Sequence, residues 1–347
     1  MATEWAAALV DWYRREGRDL PWRQTRDPYR VWVSEIMLQQ TRVVAAIPYY
    51  ERFMARFPTL QALAEAPLDD VLKAWEGLGY YSRARNLHAA ARQVSDLGEF
   101  PRSACELRKL KGIGDYTSAA IASICFGEPE PVIDGNVIRV SSRLLGLAED
   151  LTRPKAKRAL RQQLLPAIQE NCANAFNQAI MEIGALVCTP RSPACLSCPC
   201  RTWCVAFEEG TVEQLPNLPK RPPSPEREKV AVCLATDQGV LMHQRPTDGF
   251  LGGLWELPTA ADQTSLSEAL AALGIALQRS EELQAVVHVY THFRLTLSVL
   301  QGFAEFAAVA KPHRWVPVDE LEDLACDRAT RKALAVALGA PAQRTTR

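Results

Sequence analysis

The sequence predicts two folding units of different class, an all-α unit followed by a mixed α and β unit. Three observations predict it. Residues 1 to about 207 carry apolar residues at three- and four-residue spacing, the period of one helix face, with no convincing alternating strand. Residues 208–229, EEGTVEQLPNLPKRPPSPEREK, break that period, because five of the ten residues from Pro216 to Pro225 are proline. Such a segment neither continues a helix nor joins a sheet interior, and it favours an extended connector. Beyond it, runs rich in β-branched residues take over.

Each element follows from local chemistry. Trp5, Leu9 and Trp12 mark the first helix, and Asp27-Pro28 opens the next. Leu63, Leu68, Val71, Leu72 and Trp75 share a helical period, which Pro67-Leu68-Asp69 punctuates and Gly77-Leu78-Gly79 closes. After the proline-rich stretch, VAVCLAT (230–236), GVLMHQRP (239–246), ELQAVVHVYTHFRLTLSVLQGF (282–303) and RWVPVDEL (314–321) read as strands. Helix-like segments lie at 265–274 and near the C-terminus. The expected organisation is 1–207, a linker at 208–229, and 230–347.

The chain of 347 residues is 48% hydrophobic, ample for real cores. Forty basic residues balance forty acidic ones, so it lacks the basic excess of many nucleic-acid binders. The longest stretch without charge, Tyr116 to Gly127, is 12 residues, and a bilayer span needs about 20. The opening MATEWAAALVDW has Glu4 and Asp11 and no basic run, so it does not read as a secretory signal and a cytoplasmic location is expected.

Five of the ten cysteines crowd into residues 188–204. In a reducing compartment such density points to metal ligation rather than disulfides. The C-x6-C-x2-C-x5-C spacing of Cys188, Cys195, Cys198 and Cys204 suits tetrahedral zinc or an iron–sulfur cluster, and Cys200 lies outside the pattern.

In Leu107–Thr117, LRKLKGIGDYT, Gly112 and Gly114 let the backbone turn tightly and aim N–H groups at a phosphate at the start of the next helix. Asp115 adds a negative charge beside it. Asp134 follows Pro131-Val132-Ile133 and precedes the helical Val137, Val140 and Leu144, a position equally suited to a helix N-cap. Glu35 lies in the apolar run VWVSEIML, where desolvation would raise its pKa. A protonated acid beside an ionised partner is what cleavage of a glycosidic bond requires.

Together LPWR (20–23), SEIMLQQT (34–41), KAWEGLGYYSRARNLH (73–88), KGIGDYT (111–117), VIDGNV (132–137) and the cysteine loop resemble the MutY-type adenine DNA glycosylases of the helix-hairpin-helix, or endonuclease III, superfamily. The resemblance implies an all-α helix-hairpin-helix glycosylase domain with an iron–sulfur cluster loop, followed by a mixed α/β Nudix-like domain. It divides the first domain into a helical barrel part, 22–130, and a cluster part, 1–21 with 131–207. It implies a 4Fe-4S cluster on the four cysteines and a monovalent or divalent cation at the hairpin. The substrate would be double-stranded DNA with adenine opposite 8-oxoguanine or guanine, the adenine being flipped into a pocket.

Carried onto this sequence, Glu35 would protonate adenine, Asp134 would stabilise or transiently bond the sugar, Asn136 would orient Asp134, and Tyr116 would support the site. Trp22, Arg23 and Gln178 would line the pocket. Gln40 and Tyr80 would wedge into the base stack, while Leu38, Thr41 and Leu78 would face the opposite strand. Lyase relatives carry a lysine where this chain has Tyr116, so the resemblance implies a monofunctional glycosylase. RPTDGFLGGLWELP (245–258) resembles the opening of a Nudix fold, but SLSEALAALGIAL offers Glu268 as its only acid, which disfavours hydrolysis there. The loop that reads 8-oxoguanine would be Tyr290-Thr291-His292.

An endonuclease III-like lyase acting on oxidised pyrimidines is the alternative, disfavoured by Tyr116. A non-enzymatic damage-binding protein is disfavoured by the presence of both Glu35 and Asp134. A monomer is expected, with no protein partner indicated. With zero net charge, DNA binding would rest on local devices: the hairpin amides, the cluster loop, Arg83, Arg85, Lys109, Lys111 and Arg139.

Overall fold

The computed structural model describes residues 3–170, 172–219 and 223–339. Residues 220–222 of the proline-rich stretch and 340–347 at the end of the second unit lie outside the described residues.

Up to residue 219 every regular element is helical. The order is α1 (Glu4–Glu16), α2 (Pro28–Leu38), α3 (Val43–Arg56), α4 (Leu60–Glu65), α5 (Leu68–Ala74) and α6 (Ser82–Leu97). It continues with α7 (Ala104–Leu107), α8 (Asp115–Phe126), α9 (Gly135–Leu145), α10 (Pro154–Glu170), α11 (Ala173–Leu186) and α12 (Val205–Glu208). The caps explain the boundaries that matter for the site. Asp27 accepts from the Tyr29 N–H and Pro28 takes the first position of α2, where its missing donor costs nothing. Ser103 and Glu106 form a reciprocal capping box on α7. Gly127 and Gly146 end α8 and α9 in the left-handed conformation. Trp5, Leu9 and Trp12 of α1 join Ala119 and Ala120 of α8, Val137 and Val140 of α9, and Phe176, Ile180 and Ile183 of α11 in one buried core.

The second half supplies eight strands among the described residues: β1 (Glu226–Thr236), β2 (Gly239–Gln244), β3 (Trp255–Glu256), β4 (Thr259–Ala260), β5 (Arg279–Glu282), β6 (Val286–Val289), β7 (Arg294–Phe303) and β8 (His313–Val316). The sheet path is β3-β2-β1-β7-β5, with β4 on β1, β6 on β7 and β8 on β2. The β1–β7 pair is parallel and the others antiparallel, so the sheet is mixed. Alternation along β1 sends Val232 and Leu234 to the face covered by α13 (Gln263–Ala272), and Ala231 and Cys233 to the face covered by α14 (Arg328–Leu338).

The stretch 208–229 is not connector throughout. Strand β1 begins at Glu226, directly after the last proline, where backbone N–H groups become available to pair with β7. Leu215 is buried, and its carbonyl accepts from Arg143 Nε at 2.9 Å.

The chain packs as two compact units, Met1–Ala64 with Ala89–Arg221, and Glu65–His88 with Pro222–Arg347. The segment carrying α5 therefore packs with the sheet unit. Among the described residues no helix is long and apolar enough to cross a membrane.

Candidate active site

In the first unit, α2, α8 and α9 bring the sequence-derived carboxylates together. Glu35 is only 4% exposed, on a helix whose neighbouring residues Val31 to Met37 are all buried. Tyr116, in the first turn of α8, donates its hydroxyl to Glu35 Oε2 at 2.7 Å and to the Met181 sulfur at 3.3 Å. Burial pushes the Glu35 carboxyl up to about 7; the Tyr116 hydrogen bond opposes the rise and the charge of Asp134 adds to it. Burial also pushes the Tyr116 phenol well above its ordinary value, so it remains a donor.

Asp134 is the N-cap of α9. Its Oδ1 accepts from the Val137 N–H at 2.7 Å, which caps α9, and its Oδ2 accepts from Asn136 Nδ2 at 3.2 Å. Burial raises its pKa, against those same hydrogen bonds. Asn136 is held in turn: its Oδ1 accepts from Arg139 Nη2 at 2.8 Å, and Arg139 also donates to the Gly184 and Cys188 carbonyls, each at 2.7 Å. Arg139 is thus engaged internally, which removes it from the cations expected to meet DNA.

Trp22 is buried edge-on against Tyr50, with ring centroids 5.2 Å apart. Arg23 lies over the Tyr13 ring at 5.2 Å, and the Tyr13 hydroxyl donates to Gln178 Oε1 at 3.0 Å, so Tyr13 joins Arg23 to Gln178. Sequence reasoning missed Glu182. Its buried carboxylate takes Arg18 Nε and Nη2 at 2.7 Å each and Arg23 Nη2 at 2.8 Å. Burial alone would raise its pKa, but these guanidinium bonds outweigh it and hold the group near 2.

Leu38 ends α2, with its carbonyl accepting from the Thr41 N–H at 3.3 Å. Gln40 between them has φ 60, and Tyr80 in the second unit has φ 49. With Ser192 and Leu251 these are the non-glycine residues of positive φ among the described residues. Such strain in a side-chain-bearing residue gathers at functional turns.

Gly112 turns the hairpin at φ 75 and Gly114 precedes α8 as its N-cap. Both are exposed, as are Lys109 and Lys111. Arg108 Nη1 lies 3.3 Å from Asp115 Oδ1, which offsets the negative charge beside the expected phosphate position.

Cys188, Cys195, Cys198 and Cys204 line one cavity with Arg143, Arg201 and Phe207. Arg143 Nη1 donates to the Cys188 sulfur at 3.4 Å and to the Thr189 carbonyl at 2.7 Å. Cys200 is buried and does not line that cavity, although its thiol meets that of Cys198 and lies 3.6 Å from the Trp5 carbonyl. Among the described residues, no group of three or more His, Cys, Asp or Glu is drawn together around a single-ion position.

In the second unit the Tyr80 hydroxyl hydrogen-bonds that of Thr291, so the turn Gly77–Tyr80, with Leu78, meets the loop Tyr290–His292. Thr291 and His292 are exposed, whereas Tyr290 turns inward and donates its hydroxyl to Asp327. Arg85 donates to the Gly252 carbonyl at 2.7 Å and Arg83 to the Gly79 carbonyl at 3.2 Å. On α13 the only acid is Glu268.

Two domain families match in this order: the HhH-GPD superfamily of base excision DNA repair proteins over residues 33–166, and the NUDIX domain over 229–336. An adenine DNA glycosylase of Homo sapiens is 36% identical over 97% of this chain and 74% of its own length. One from Buchnera aphidicola subsp. Schizaphis graminum is 32% identical over 94% of this chain and 97% of its own. A solved thermostable thymine-DNA glycosylase is 27% identical, with a TM-score of 0.54, covering 59% of this chain and 95% of its own. With both domains present in order and this identity running nearly end to end, the chain belongs to the adenine DNA glycosylase family.

Proposed function

We propose that the chain flips adenine out of duplex DNA, opposite 8-oxoguanine or guanine, and hydrolyses its N-glycosidic bond to leave an intact abasic site. The observation that carries this reading is the buried Glu35 carboxyl, pushed up to about 7 and hydrogen-bonded by Tyr116, under the influence of the capped carboxylate of Asp134.

An acid that keeps its proton near neutrality can give it to N7 of the flipped adenine, making the base a better leaving group. As the bond breaks, positive charge grows at C1′, and Asp134 supplies the opposing negative charge by stabilisation or a transient bond. Asn136 fixes the Asp134 carboxylate, and Arg139 fixes Asn136. Glu35, ionised once adenine departs, accepts a proton from the water that adds to the sugar. Trp22, Arg23 and Gln178 would line the adenine pocket. Gln40 and Tyr80 would enter the stack, and Leu38, Thr41, Leu78 and the loop Tyr290-Thr291-His292 would face the opposite base. The amides at Gly112 and Gly114 would hold a phosphate. Tyr116 cannot form an imine, so no strand nick follows.

Cys188, Cys195, Cys198 and Cys204 would hold a 4Fe-4S cluster, which when bound ties four points of the loop together. A single zinc would crowd its sulfurs to about 3.8 Å of one another; a ring of thiols around a cavity suits the larger group better.

The test is to incubate the purified, iron-containing chain with a duplex holding one adenine opposite 8-oxoguanine. Strand cleavage only after alkali is the expected outcome. Nicking without alkali would mark a lyase, and no reaction by folded protein would overturn the reading.

A further inference from the structure

The sheet unit includes Glu65–His88 and, with it, the turn Gly77-Leu78-Gly79-Tyr80. Gly77 and Gly79 take φ 94 and 73, and Tyr80 follows at 49, a conformation that a bulky side chain adopts only when its surroundings impose it. Part of that constraint is local: Trp75 Nε1 and Arg83 Nη2 both donate to the Gly79 carbonyl at 3.2 Å.

The other part comes from α14. Arg331 grips Glu76 through two nitrogens, Nε to Oε1 at 2.6 Å and Nη2 to Oε2 at 3.2 Å, a forked pairing that fixes orientation as well as distance. Lys73 Nζ holds the same carboxylate at 2.6 Å. Arg331 Nη1 also donates to the Leu321 carbonyl at 2.8 Å, and Arg328 Nη2 to the Gly77 carbonyl at 3.2 Å. At the start of α14, Asp327 accepts from the Thr330 N–H at 3.1 Å and from the Tyr290 hydroxyl. The loop then closes the circuit, because the Thr291 hydroxyl meets that of Tyr80. The turn and the loop are thus both fastened to one helix end, and they touch each other through two hydroxyls.

We propose that Arg331 and Glu76 are positioning residues that hold the strained turn at Tyr80 in register with the loop Tyr290–His292, so that reading of the base opposite adenine and entry of Tyr80 into the stack occur as one event. The proposal rests on the proposed function for the roles of that turn and loop. A lone hydroxyl contact at the surface would not fix the register, whereas a partly buried forked ion pair on the same helix that anchors Tyr290 does.

Single-turnover excision is measured for wild type, Arg331→Met, Glu76→Gln and the double variant, on duplexes with adenine opposite 8-oxoguanine and opposite guanine. The ratio of the two rate constants is insensitive to how much protein is folded, so a merely structural role leaves it unchanged. The expected result is a ratio about tenfold lower in Arg331→Met, with the double variant no worse than Arg331→Met alone because the two residues act as a unit. If Arg331→Met does not fold, Arg331→Lys, which keeps the charge and loses the fork, is read in the same way. An unchanged ratio in a folded variant overturns the proposal. Failure of the wild type to excise from either duplex removes the proposed function itself, a distinct outcome.

Discussion

Glu35 is a buried acid that holds its proton up to near neutrality. Its carboxyl rises from 4.5 to about 7, chiefly through burial. Protonated, it sits comfortably; as pH climbs through about 7 the folded state must ionise a buried group, and the stability gained from holding the proton is lost. The shift corresponds to about 3 kcal/mol at 1.36 kcal/mol per unit. Glu35→Gln should therefore melt later than wild type at pH 9, with the gap closing at pH 5, and should not excise adenine at any pH. Wild-type excision should fall about tenfold per pH unit above neutrality as the acid form disappears. Equal melting differences at both pH values, or excision unchanged up to pH 9, would contradict this. Glu35 was legible because an acid within VWVSEIML is anomalous. Glu182 within NQAIMEIGALV is the same anomaly, yet its meaning was hidden: its partners Arg18 and Arg23 stand 164 and 159 residues away, and they turn a candidate acid into a permanently ionised clamp. Asp134 was legible as an N-cap or as a catalytic carboxylate; the structure shows the N-cap, and the catalytic role is the one proposed above.

At the scale of elements, the setting of Asp134 depends on how closely α11 passes α9. Gly184 lies where an added Cβ would stand 2.7 Å from the Asn136 Cβ and 3.3 Å from its Cα. Neither atom is the free end of a flexible side chain, so α9 or α11 must shift. Gly184→Ala should cost about 1–3 kcal/mol in stability and lower the excision rate constant, because Asn136 carries both Asp134 and Arg139. Unchanged melting together with unchanged excision would show that the helices have room to spare. Element type was largely readable from period and punctuation: the helices of the first half, the long strands β1, β2, β6 and β7, and the hairpin at Gly112 occupy the segments that their patterns indicate, whereas RWVPVDEL is strand only to Val316 and turns into a 3-10 helix over Val318–Asp323, and the short β3, β4 and β5 fall outside the expected runs but for Glu282. Two features were beyond that reading. The start of β1 at Glu226 depends on pairing with β7, and the packing of Glu65–His88 with the sheet unit runs through contacts such as Arg331 with Glu76, 255 residues apart. Neither leaves a local signature.

For the whole molecule, zero net charge ceases to argue against DNA once the basic residues are sorted by what they touch. Arg83, Arg85 and Arg139 hold carbonyls and side chains of the protein itself. Lys109 and Lys111 remain exposed beside the hairpin amides. On the proposed function, affinity would come from a few placed contacts and from fit to the mispair rather than from a broad field. The central claim is that this assembly ends in one chemical act, two carboxyl groups breaking one glycosidic bond. Asp134→Asn tests it most directly, since asparagine caps a helix as well as aspartate does and leaves the fold in place. On a duplex with adenine opposite 8-oxoguanine, the variant should bind as wild type does while its single-turnover excision falls by more than about 100-fold. Excision retained within a few fold of wild type would contradict the account.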